Sequence, residues 1–231
     1  VISGTVVLSG IVGSTAYGLA HEGSDTDRLG IFAAPTVAFH GLHRPAESHV
    51  TTAPDVTYHE ACKAVRLMLS CNPTVTEIAW LPDGLYEVRT PLGDDLIAIR
   101  SSLLCARRVK DAFLGYAGGQ FRRLENRGDG SFSADTRKRT AKHARHLMRL
   151  VVQGRELYRT GTLTVRLESP QEFFEFGERV AAGDLAIAQA FLAQAEEDFA
   201  AIRTPLPERP DEDAAERWLL HVRAQFLKEE A

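Results

Sequence analysis

The stretch IVGSTAYGLAHEGSDTDRLGIF, residues 11–32, constrains this chain most: an apolar run ends in Gly13-Ser14, a small-residue turn follows, and Asp25 and Asp27 precede a second apolar run. It reads as strand, tight turn, helix start and returning strand. Strand side chains alternate with period two, so a strand from Asp25 to Ala34 would set Asp25, Asp27, Leu29 and Ile31 on one face. Two carboxylates on one face repel, and partial burial strengthens the repulsion. A divalent cation resolves it most simply, and oxygen-only ligands suit Mg2+ or Mn2+. Gly13 would let the backbone approach a phosphate closely, with the Ser14 hydroxyl holding its oxygens.

Further along, residues 35–54 are rich in Pro, Thr and His without a period and read as a loop. A short strand near Asp55 to Tyr58 runs into the helix HEACKAVRLMLS. In CNPTVTEIAWL, Asn72 is placed as a helix cap with Pro73 at the first helical position. Beyond Ser101 the pattern becomes almost wholly helical. The reading is α/β: a mixed-sheet domain over 1–100 and a helical domain over 101–231, with the active site in the cleft between them. The helices are expected at 102–126, 135–160, 170–182, 184–202 and 211–229, with a loop RGDGSFS after the first and a strand-like TLTVRL after the second.

Gly13-Ser14 followed eleven residues later by Asp25-Thr26-Asp27 is similar to the G-S then D-x-D signature of the DNA polymerase β-type nucleotidyltransferases. More narrowly, GSTAYGL, SDTDRLGIF, DVTYHEACKAVRLMLSCNPTVTEIAW, LGYAGGQFRRLE and KHARHLMRLVVQGRELYRTGTL resemble the bacterial and phage family of nucleotidyltransferases associated with RNA ligases, over about residues 7–167. The resemblance implies transfer of a nucleoside monophosphate from an NTP to a hydroxyl, with pyrophosphate released and two Mg2+ ions at the reacting oxygens. It implies that Gly13 and Ser14 hold the phosphates and that Asp25 and Asp27 bind metal. A third carboxylate on the next strand would help deprotonate the hydroxyl; Asp55 is the choice, with Glu60 and Glu77 in reserve.

Lys142, His146 and Arg149 lie at i, i+4 and i+7 of a helix, flanked by Lys138 and Arg145, and form a cationic face suited to a triphosphate or an RNA backbone. Tyr17 and Gly18 either pack the turn or approach the nucleotide. His40, His43, His49 and His59 lack cysteine partners at zinc spacing and read as ordinary histidines. Phe173, Phe174 and Phe176 read as core.

A net charge of -4 argues against nonspecific coating of nucleic acid. Three cysteines without a CxxC pair fit a reducing cytoplasm, and no run reaches the roughly 20 apolar residues of a membrane span. No P-loop and no G-x-S-x-G is present. RNA is the favoured acceptor by family association. The alternatives are a protein or small-molecule acceptor, or a nucleotide- or RNA-binding module without turnover.

Overall fold

The structure, a computed structural model, describes residues 2–126 and 134–227; the expected loop RGDGSFS lies outside the described residues. The chain divides into two units, residues 1–105 with 209–231, and residues 106–208. The second unit thus begins five residues beyond the expected boundary, and the last helix belongs with the first unit rather than with the helical one. Among the described residues no helix is long and apolar enough to cross a membrane.

In the first unit, β1 (Thr5–Ile11) leads through the short helix α1 (Gly13–Tyr17) to β2 (Arg28–Ala33). The hairpin β3 (Ser48–Thr52) and β4 (Asp55–Glu60) follows, then α2 (Ala61–Leu69), α3 (Pro73–Thr76), β5 (Tyr86–Arg89) and α4 (Pro91–Ala98). The strands form a mixed five-stranded sheet in the order β3-β4-β2-β1-β5, parallel only between β2 and β4. Val7, Leu8, Ile31 and Phe32, consecutive in their strands, are all buried, as central strands covered on both faces require.

Two local expectations are corrected and a third holds. β2 starts at Arg28, where its regular pairing with Ile11 of β1 and Val56 of β4 begins, so Asp25 and Asp27 stand ahead of the strand rather than on its face. The segment read as a loop contains β3, which lacks apolar alternation because it is an edge strand with Val50 exposed. Asn72 does cap its helix, its Oδ1 accepting from the amides of Thr74 and Val75 at 3.1 Å.

The last helix of this unit, residues Glu212–Gln225, is fastened to α4 and to the sheet by polar contacts. Trp218 Nε1 donates to Leu92 O at 2.9 Å, and Arg223 forks onto both oxygens of buried Glu60 at 2.7 and 2.9 Å. The same guanidinium lies 4.1 Å from the centre of the Phe39 ring.

The regular structure described in the second unit is helical: α5 (Ala106–Glu125), α6 (Ala134–Thr160), α7 (Pro170–Ala181) and α8 (Leu185–Ala201). At Gly154 of α6 a Cβ would lie 2.6 Å from the Phe113 side chain, so the glycine is what lets α5 approach. TLTVRL is no strand. Leu163, Val165 and Leu167 are buried, but Gln153 Nε2 takes the carbonyls of Thr164 and Val165, at 3.1 and 2.8 Å, in place of a partner strand. Gln153 in turn accepts from Arg149 Nη1 at 2.7 Å, and Arg149 Nη2 donates to His146 Nε2 at 3.1 Å.

Burial, and then the charges of Arg149, His143, Lys142 and Arg123, hold the His146 pKa down at about 3, so the ring is neutral and accepts from Arg149. An unfolded His146 takes up its proton near 6.5, so between that value and about 3 the unfolded chain binds the extra proton and stability falls as pH falls. Going from pH 7 to 5 should cost the second unit no more than about 2 kcal/mol in urea unfolding, and His146→Gln should flatten that dependence. In the first unit, Arg223→Ala leaves the Glu60 carboxylate buried without its partner and should cost about 3–5 kcal/mol. The double variant Glu60→Gln, Arg223→Ala should cost less than the sum of the two single changes.

Candidate active site

The site forms where β1 ends. One rung beyond the last β1–β2 pair, Ile11–Arg28, the amide of Val12 donates to the carbonyl of Asp27 at 2.9 Å. This bond holds the chain ahead of β2 against the turn that leaves β1. Gly13, the next residue, has φ +66°, a left-handed conformation that favours glycine, and a Cβ there would collide with Asp27 Oδ2 and come within 2.9 Å of its Cγ. The Asp27 carboxylate therefore lies directly over the bare Cα of Gly13. The two halves of the sequence motif are in contact.

Asp25 stands two residues earlier and is exposed, while Asp27 is half-buried. The turn before them is closed by reciprocal bonds of 2.9 Å between His21 and Ser24. Asp55, the first residue of β4, is exposed and sits one step ahead of the Arg28–Val56 pair, level with Asp27 on the neighbouring strand. Among the described residues no three His, Cys, Asp or Glu side chains are gathered as a metal-ligand group.

The reserve carboxylates are engaged elsewhere. Glu60 pairs with Phe32 at the far end of β4, where it accepts from Arg223 and from the amide of Cys62. Glu77 is 1 % exposed and its two oxygens lie 2.9 and 2.8 Å from the Tyr17 hydroxyl, which donates to them. Of the two roles open to Tyr17, the structure shows packing: its buried ring locks the helix that begins at Gly13 onto the segment after α3. That pairing spans sixty residues, and only the cap at Asn72 hinted in the sequence at where Glu77 would sit.

Ser14 is half-buried in the first turn of α1, whose end is set by Gly18 at φ +77° and by Leu19 N donating to Ser14 O at 2.8 Å. In the second unit, Lys142, His146 and Arg149 do follow one line along α6, but at different depths. Lys142 is exposed, His146 is half-buried, and Arg149 is 1 % exposed within the network described above. A solvent-facing stripe of three cations is thus reduced to Lys142, because Arg149 is turned inward to Gln153.

Among the histidines, His59 lies in β4 with Nδ1 2.7 Å from Ser48 Oγ, and the His49 ring in β3 packs tilted against Phe32 with ring centres 5.3 Å apart. The three cysteines are free thiols, with Cys71 and Cys105 buried.

No curated protein matches the chain. Its residues 3–181 match the family model RlaP, described as the RNA repair pathway DNA polymerase beta family. A match over this much of the chain, including the Gly13-Ser14 turn, both aspartates and the helices α5 and α6, shows that the protein belongs to the RNA repair pathway DNA polymerase beta family.

Proposed function

We propose that the protein transfers a nucleoside monophosphate from an NTP to a hydroxyl of RNA, releasing pyrophosphate. The observation that carries this reading is the Asp27 carboxylate seated over Gly13, which joins a phosphate-binding turn to a metal-binding acid at one point. The donor chemistry fits a hard cation: Asp25 and Asp27 offer only carboxylate oxygens, and Mg2+ typically binds through one or two carboxylates with the rest of its shell from water and substrate phosphates. A third protein ligand is therefore not required for binding. Bound Mg2+ or Mn2+ would supply charge stabilisation at the attacking and leaving oxygens.

The chain's own residues do the remainder. Gly13, lacking a side chain, lets the triphosphate approach the backbone, and the Ser14 hydroxyl donates to a phosphate oxygen. Asp27 is positioned by the Val12 amide through its own carbonyl, so its carboxylate is aimed by the sheet rather than by a loop. Asp55, level with Asp27, is the base that takes the proton of the incoming hydroxyl. Tyr17, through Glu77, positions the turn. On α6, Lys142 is the exposed cation that would meet a phosphate group as a point charge, with His146 half-buried and Arg149 buried behind it.

Asp27→Asn should abolish transfer of label from α-phosphate-labelled NTP to RNA while leaving the urea unfolding midpoint unchanged, because it removes a carboxylate charge and keeps the volume. Unaltered transfer in that variant would sink the assignment. Lys142→Ala should raise KM for the NTP several-fold with kcat little changed, and an unchanged NTP dependence would return Lys142 to a solvated surface role.

A further inference from the structure

On α5 the sequence LGYAGGQFRRLE places Gly115 and Gly119 on the same side of the helix as Tyr116, Gln120 and Arg123. These residues, with Asp111 one turn earlier, line a groove of about 370 Å³. Its floor is bare. A Cβ built on Gly115 would meet nothing within 4 Å, and one on Gly119 would meet only the end of the Arg122 guanidinium. Tyr116 stands over the floor with 43 % of its surface exposed.

The groove holds one polar group that the fold has oriented. Gln120, which lines the groove, is 8 % exposed, and its Oε1 is fixed at 2.8 Å from His143 Nδ1. With its carbonyl end fixed, this amide has its N–H donors left to recognise a carbonyl oxygen on a ligand. Arg123 supplies a cation at one end. At the other, the charge of Asp111 is offset by Arg107, 3.5 Å away.

From this arrangement we infer that the groove docks one nucleotide of a single-stranded RNA, its base stacked on Tyr116, a base carbonyl on the Gln120 amide and its phosphodiester on Arg123. The inference rests on the reading of RNA as acceptor and adds the place where RNA is held. A phosphodiester is favoured over the tail of a free NTP by charge. One guanidinium balances a single negative charge, whereas a triphosphate brings about four, and the described lining residues offer no second cation for the excess. An aromatic face beside a cation is also the sequence-tolerant way in which proteins hold unpaired nucleotides.

The test is fluorescence anisotropy with a fluorescein-labelled 12-nucleotide single-stranded RNA of mixed sequence, alongside binding of labelled ATP with Mg2+, using the full chain. Tyr116→Ala should weaken RNA binding about tenfold, Tyr116→Phe should restore it, and neither should change ATP binding. Arg123→Gln should weaken RNA and reduce the slope of log affinity against log salt by about 0.7, the share of one phosphate contact on a single strand. Gly115→Leu is the sharpest variant, since the open space around Gly115 lets the side chain fill the groove without a clash: Tm should hold or rise while RNA affinity falls. Arg159→Gln, at an exposed position elsewhere on α6, controls for loss of charge alone.

RNA binding by the unaltered chain with equal affinity in Tyr116→Ala, Arg123→Gln and Gly115→Leu would overturn the groove and leave the acceptor reading standing. Failure of the unaltered chain to bind RNA would overturn both. A loss of ATP binding in Tyr116→Ala, with RNA binding intact, would reassign the groove to the NTP and overturn the proposal.

Discussion

The bond from the Val12 amide to the Asp27 carbonyl is the rung on which the candidate site depends. It extends the β1–β2 ladder one step past its last regular pair, and so fixes which residue faces the turn at Gly13. Because side chains alternate along a strand, a slip of one residue would carry Asp27 to the opposite face and put Arg28 in its place. The sheet prevents that slip by close packing at its centre. Gly30 of β2 leaves room for the Tyr58 ring, and Gly10 of β1 leaves room for Leu81 and for the carbonyl of Leu85, so each glycine admits a neighbour that fits at one register only. The placement of one carboxylate is thus a property of the whole sheet.

What could be read from the sequence follows the range of the interactions. The strand β1 and the turn after it are local, and so are the Asn72-Pro73 cap and the apolar period of the long helices, and these were legible; that the aspartates stand ahead of β2, with Asp27 alone against Gly13, was not. The strand β3 was not, since an edge strand needs no apolar face and its identity comes from pairing with β4. β5 and α4 were hidden among Pro82, Gly84, Pro91 and Gly93, although Thr90, whose hydroxyl accepts from the Gly93 amide, is a cap of ordinary kind. Glu60 and Glu77 looked available because their partners, Arg223 and Tyr17, are 163 and 60 residues away in the chain. No local pattern separates an acid that serves chemistry from one that ties two distant segments together.

The return of the last helix to the first unit has the same cause. Its buried face, with Ala214, Ala215, Trp218 and Val222, would suit any apolar neighbour. What selects the sheet-bearing unit is polar: a tryptophan N–H for the Leu92 carbonyl and a guanidinium for Glu60. A buried acid is costly without its partner, so Glu60 specifies Arg223 more narrowly than any apolar contact does.

Glycines inside helices give the same kind of information about the second unit. Each lowers helix stability by about 1 kcal/mol relative to alanine, so a neighbour that needs the space is the usual compensation. Gly154 has such a neighbour in Phe113, and Gly177 has one in the Arg145 stem and the Ala141 carbonyl. Gly115 has none among the described residues, and it lies one residue from a half-exposed tyrosine and five from an amide whose carbonyl end is already fixed. Internal packing accounts for the first two glycines and leaves the third to something outside the chain. A flat, unsaturated ring with a carbonyl on its edge matches, in shape and in hydrogen bonding, the space that Gly115, Tyr116 and Gln120 leave open.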